Sequence, residues 1–159
     1  MAKEKAVKTN AMRILDSLKI SYEMQSDECD EFVDGVTTAD TLGLDHKLVY
    51  KTLVTVAKSK AYYVFVIPIE AELDLNAAAR AVNEKALELL PLKELTTVTG
   101  YIRGGCTAIG MKKAFPTVID ASVEGLPHLH VSGGKPGLQL KLSVEDYLKA
   151  SKSKVADVI

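Results

Sequence analysis

The chain has 159 residues, 47% of them hydrophobic and 26% charged, with a formal charge of −1. This composition suits a single globular domain over 1–159 and excludes a fibrous or disordered chain. Near-neutral charge also excludes a polyanion binder that works by bulk electrostatics, so any nucleic-acid contact must come from a local patch. The two cysteines, Cys29 and Cys106, form no Cys-x-x-Cys pair, and the N-terminus lacks a signal-like apolar run, so a reducing cytoplasm is expected. No apolar stretch reaches membrane-spanning length.

In chain order, Thr9 is placed to cap a helix through about Lys19, with Met12, Ile14, Leu15 and Leu18 as its apolar stripe. Ile20–Met24 alternates as a short strand. From Ser26 to Asp34, five carboxylates surround Cys29, a density that favours a solvated loop over a calcium-binding one, because the glycine and closing glutamate of such a loop are missing. Thr37 or Thr38 can cap a helix ending at Leu42, with Gly43 as its stop.

Leu48–Val56 then reads as a strand carrying a single charge, Lys51, among β-branched and aromatic residues. Its period of two sets Tyr50, Thr52, Val54 and Val56 on one face and Val49, Lys51, Leu53 and Thr55 on the other. An ammonium on such an apolar face needs a partner anion, a lowered pKa or a path to water. Ala61–Ile67 is a second strand, joined to the first by Lys58-Ser59-Lys60. Asp74 caps a helix containing Leu75, Ala78, Ala79 and Val82. Glu84–Leu90 reads as a further helical segment, Pro91–Leu95 as another helical turn, and Gly100 closes the region.

Tyr101 to Lys113 contains Gly104, Gly105 and Gly110, a loop whose backbone amides can approach a ligand, although neither the Walker pattern nor the dinucleotide fingerprint is present. Thr117–Asp120, His128–Val131 and Leu138–Leu142 read as strands, the last two separated by the glycine turn Ser132–Gly137. His128 and His130 share a strand face without an evident third ligand, so no metal is expected. Ser143 and Asp146 open a final helix with Val144, Tyr147 and Leu148 on one face, followed by a tail bearing Lys152 and Lys154. The fold expected is mixed α/β: a curled, barrel-like sheet flanked by short helices.

Three stretches in this order and spacing, Val49-Tyr50-Lys51-Thr52-Leu53, Thr99 to Gly110, and Val131 to Leu138, resemble the YbaK/EbsC family of aminoacyl-tRNA deacylases, which is related to the editing insertion of bacterial prolyl-tRNA synthetases. The resemblance spans nearly the whole chain. It implies hydrolysis of the ester between a wrong amino acid and its tRNA, most often cysteine on proline tRNA, without cofactor or metal. It places Lys51 as the catalytic cation, Gly104 and Gly105 as oxyanion donors, and Tyr22, Thr52, Thr107, Ser132, Gly133, Gly134 and Gln139 around the substrate. The tRNA acceptor end is the implied partner, with prolyl-tRNA synthetase as a candidate second one; Lys112, Lys113 and Lys135 are the cations best placed by sequence to meet the RNA.

No Ser/His/Asp or Cys/His set is evident, and in the cysteine-specific branch the resemblance implies that the substrate's thiol attacks its own ester. Three positions depart from the family pattern: Ala108 replaces a proline, Pro136 an arginine and Gln139 an aspartate. They keep two alternatives open, a deacylase for another small amino acid such as alanine and a non-catalytic tRNA- or synthetase-binding module.

Overall fold

The computed structural model describes residues 8–26 and 35–159, so the acidic segment beyond Ser26, Cys29 included, lies outside the described residues. Helix α1 (Asn10–Ser17) is capped as expected: the Thr9 hydroxyl accepts from the Met12 amide at 3.2 Å, and the Met12 sulfur accepts from the Thr9 amide at 3.4 Å. Its stripe of Ala11, Met12 and Leu15 is buried. The helix stops short of Lys19, which takes a left-handed φ of 61° and turns the chain so that Ile20 enters the core. Strand β1 (Glu23–Ser26) therefore begins later than the sequence suggested. Helix α2 (Gly35–Leu42) begins ahead of Thr37 and Thr38, which lie within it rather than capping it, and it ends at Gly43 with φ of 70°.

The expected hairpin forms from β2 (Tyr50–Ala57) and β3 (Tyr62–Pro68), with Lys51 opposite Ile67 and Thr52 opposite Val66. Asp74 caps α3 (Leu75–Ala81) by accepting from the amides of Asn76 and Ala77. The segment read as helical after it is instead strand β4 (Leu87–Leu89), antiparallel to Thr55–Ala57 of β2. An exposed edge on β2 offers a row of unpaired backbone groups, and pairing with it outweighs a weak local helical preference. Helix α4 (Leu92–Thr99) extends past the single turn expected and closes at Gly100, φ 86°.

Strands β5 (Thr117–Asp120), β6 (His128–Ser132) and β7 (Leu138–Ser143) lie close to their expected positions, as does α5 (Val144–Ser151), whose first turn is capped by Ser143. The lysine-bearing tail contributes an unexpected strand, β8 (Lys154–Ala156), parallel to β5. It is pinned from below by Asp120, a buried carboxylate that accepts from the Ser122 amide at 2.9 Å and the Val158 amide at 3.0 Å.

The fold is mixed α/β, built on two sheets with strand orders β1-β7-β6 and β4-β2-β3-β5-β8. A single parallel bridge between Val49 and His130 joins them. The sheets do not close into the barrel-like form expected: the marginal strands β1, β4 and β8 are only three or four residues long, and among the described residues no further strand pairs with their outer edges. One side of the combined surface carries the main core, where Met12, Leu15, Tyr50, Val66, Leu129, Leu140 and Tyr147 meet. Burying each large apolar side chain there stabilises the fold by about 1.5–3 kcal/mol. The other side is covered by α2 near Val49 and Ile69 and by α3 near Phe65 and Ile67.

Candidate active site at the junction of the two sheets

Lys51 stands on the second side. Strand alternation puts it with Val49, and the bridge puts Val49 with His130, so Ser132, two residues past His130, faces the same way. Strand register extends this polar face: Ser132 pairs with Gln139, which pairs with Gln25, while His130 pairs with Lys141, which pairs with Glu23. Lys51 is half-buried between the cluster of Val49 and Ile69 and that of Phe65 and Ile67. No described residue gives its ammonium an ion pair or hydrogen bond. An unpaired cation in such a setting favours an incoming anion.

The two glycine loops touch each other. A Cβ on Gly105 would lie 2.7 Å from the Lys135 Cα, so only glycine admits this backbone approach. Both loops are fastened to the start of α1: the Thr9 hydroxyl donates to the Gly133 carbonyl at 2.5 Å, and the Asn10 amide group donates to the Gly110 carbonyl at 2.7 Å. Tyr101 braces the first loop by donating its hydroxyl to the Ile109 carbonyl at 2.6 Å. Ser132 is the hinge of the arrangement, since its strand runs beside Lys51 and the loop it opens reaches Gly105.

Which amides remain available differs from the sequence expectation. Gly105 donates to the Ile102 carbonyl at 2.9 Å, Gly133 to the Leu138 carbonyl at 2.8 Å and Gly134 to the Ser132 hydroxyl at 3.3 Å, so all three amides hold the loops themselves. Gly104, at φ 85°, has no backbone acceptor among the described residues and is the free donor of the pair.

The remaining candidates divide between two places. Thr52 points to the core side, its buried hydroxyl without a partner, and Thr107 is fully buried with its hydroxyl accepting weakly from the Ile109 amide at 3.5 Å. Tyr22 lies across the three-stranded sheet from Gln25 and Gln139. Its ring packs on the main core, and its hydroxyl donates to Asp16 at 3.2 Å, next to the Lys8–Asp16 ion pair. There it separates a cleft of about 570 Å³ bounded by Lys8, Met12 and Met24 from one of about 300 Å³ bounded by His128 and Lys141. Neither cleft includes Lys51 or the glycine loops, so cavity size alone does not locate this site. The lysines proposed to meet RNA, Lys112, Lys113 and Lys135, are all exposed; Lys112 in addition lays its stem over Gly100 and donates to the Thr97 carbonyl at 3.4 Å, at the negative end of α4.

Cys106 is buried beneath the first loop, and burial pushes its thiol up to about 12 against a smaller downward pull from Thr99. A thiol held protonated is a poor nucleophile. Cys106 in the native protein is expected to resist alkylation at pH 8 and to react once unfolded, as read by mass spectrometry with and without denaturant; rapid native labelling would contradict its burial.

His130 is 5% exposed and lies edge-on to His128 with ring centroids 5.5 Å apart. Burial, then the neighbouring His128 and Lys141, lowers its pKa to about 4. Because the unfolded chain binds the extra proton first, stability falls as pH drops from about 6.5 towards 4. His46 works in the opposite sense, since Glu70 and Asp40 raise its pKa and favour the folded state at low pH. Expected from urea titrations across pH 4–7 is that His130→Gln loses on the order of 2 kcal/mol of the acid sensitivity of the parent; parallel pH profiles would contradict this. No group of three or more metal-ligating side chains occurs among the described residues, and no helix among them is long and apolar enough to cross a membrane.

Residues 33–150 match the family model described as the aminoacyl-tRNA editing domain. The chain is also 40% identical over 160 aligned positions, covering 99% of it and 98% of the relative, to the candidate Cys-tRNA(Pro)/Cys-tRNA(Cys) deacylase EbsC of Enterococcus faecalis (strain ATCC 700802 / V583). Among solved structures, a candidate trans-editing enzyme for prolyl tRNA synthetase superposes with a TM-score of 0.80 at 22% identity, covering 96% of this chain and 98% of that one. A hypothetical protein superposes at 0.84 with 20% identity, covering 94% and 99%. At such identities these two likenesses speak for the fold. The chain belongs to the aminoacyl-tRNA editing domain family and is an aminoacyl-tRNA deacylase.

Sequence reasoning missed Gln25 and the anchoring roles of Thr9 and Asn10. Gln25 sat just beyond the expected strand Ile20–Met24, and only the register with β7 brings it beside Gln139.

Proposed function

We propose that this chain removes cysteine from mischarged proline tRNA, with the substrate's own thiol as the nucleophile. The observation that carries the reading is the half-buried Lys51 ammonium, without a described anion of its own, beside the strand that opens the second glycine loop. In this reading Lys51 draws in the terminal ribose and phosphate of the acceptor end, while Lys113 and Lys135 meet the RNA backbone further out. The ester carbonyl then lies against the Gly104 amide, which stabilises negative charge developing on its oxygen.

The cysteine sulfur attacks the carbonyl carbon, the bond to the ribose oxygen breaks, and the thiol proton ends on that leaving hydroxyl. Water opens the resulting strained cyclic thioester to free cysteine. Orientation by the loops replaces an enzyme nucleophile, consistent with the high thiol pKa of Cys106. Choice of cysteine on proline tRNA is supported by the name of the 40% identical relative. Gln139, where the family carries a carboxylate, favours a second reading in which a different small amino acid such as alanine is released.

The test is a single-turnover assay on proline tRNA carrying cysteine or proline. Release of cysteine with proline left in place is the expected result. A chain that binds both without cleaving either would make it a binding module and overturn the proposal.

A further inference from the structure

The polar face beside Lys51 holds an arrangement not used above. Gln139 is 7% exposed and Gln25 half-buried, and the side-chain oxygen of each is buried without a hydrogen bond. They are register partners on β7 and β1, so their side chains rise from the same face at adjacent positions. Ser132 completes the row on β6, its oxygen already accepting from the Gly134 amide. One row along, His130 is 95% buried by its 5% exposure and also leaves Nδ1 without a partner. Buried acceptors left unpaired are costly, and so many at one place call for a ligand that brings several donors to one point.

A primary amine has that chemistry: its N–H donors diverge from one nitrogen and can serve two oxygens at once. We propose that Gln25 and Gln139 receive the free α-amino group of the aminoacyl ester, making the site selective for esters whose amine is unblocked. The inference rests on the deacylase reading and deepens it, since the amine is two bonds from the carbonyl carbon that must lie near Lys51 and Gly104. Uncharged amide oxygens suit this task in a chain that lacks the family's carboxylate at Gln139, because they accept from the amine in both its neutral and its protonated form. Gln25 thus becomes a specificity-determining residue supplied by the edge strand of the small sheet.

The experiment compares single-turnover hydrolysis of cysteinyl-tRNA and N-acetylcysteinyl-tRNA by the parent, Gln25→Leu, Gln139→Leu and Gln139→Glu proteins. Expected is a parent preference for the free amine of roughly 10- to 100-fold, lost in both leucine variants through slower cleavage of the free-amine ester alone. Gln139→Glu, which restores acceptors, should keep the preference. Equal parent rates on the two esters would overturn the proposal, as would leucine variants that slow both esters alike. Faster cleavage of the N-acetyl ester would also overturn it, by showing that the amides present N–H rather than oxygen to the ligand. Should the parent cleave neither ester, the deacylase reading fails separately, and NMR titration with cysteine methyl ester and its N-acetyl derivative still decides the point: binding of the free amine alone, abolished in Gln139→Leu, supports the proposal, and equal or absent binding overturns it.

Discussion

Replacing Lys51 by alanine is expected to slow deacylation by about 100-fold or more, the scale of losing one charge-stabilising group in a water-poor site. Folding should survive. Lys51 has no described hydrogen bond or ion pair to lose, and its neighbours Phe65 and Ile67 are packed by α3 independently of it. Because alanine also removes the aliphatic stem, Lys51→Met serves as the companion variant: it keeps the packing and deletes the charge. Both variants should show a native melting transition and a comparable loss of rate, whereas Lys51→Arg should retain part of it. If the methionine variant hydrolyses its substrate at the parent rate, the cation has no part in the chemistry and the site lies elsewhere.

Much of this site was readable from local sequence because its parts are local. A lone lysine in a β-branched run, paired glycines around a short polar stretch and a capped first helix each declare themselves within a dozen residues. What remained hidden depends on partners distant in the chain. The Val49–His130 bridge, which sets Lys51 on the same side as Ser132 and Gln139, links residues far apart in sequence and leaves no periodic mark. The same holds for Glu84–Leu90, whose apolar spacing suits a helix until the free edge of β2 claims Leu87–Leu89 as a strand.

Availability of backbone donors was equally out of reach. Gly104 and Gly105 look alike in sequence, yet a turn consumes one amide and leaves the other. Tyr22 falls outside β1 because the strand starts three residues later than expected, at Glu23 rather than Ile20, and its hydroxyl is engaged by Asp16. The barrel-like closure failed for a related reason: strand length at the margins decides closure, and short edge strands are where sequence boundaries are least defined.

The most direct test of substrate-thiol catalysis is a single-turnover comparison of cysteine, serine and alanine esters on the same proline tRNA, run with the parent and Cys106→Ala proteins. Serine matches cysteine in shape, but its hydroxyl is far less available as an anion near neutral pH, and among the described residues no hydrogen-bonded Ser/His/Asp or Cys/His set stands beside Lys51 and Gly104 to activate it. Cysteine ester should be cleaved at least about 100-fold faster than serine ester, alanine ester should be slow, and Cys106→Ala should match the parent, given a buried thiol pushed up to about 12. Comparable rates on all three esters would contradict substrate assistance in favour of attack by water, and loss of turnover in a folded, tRNA-binding Cys106→Ala protein would contradict it in favour of an enzyme thiol.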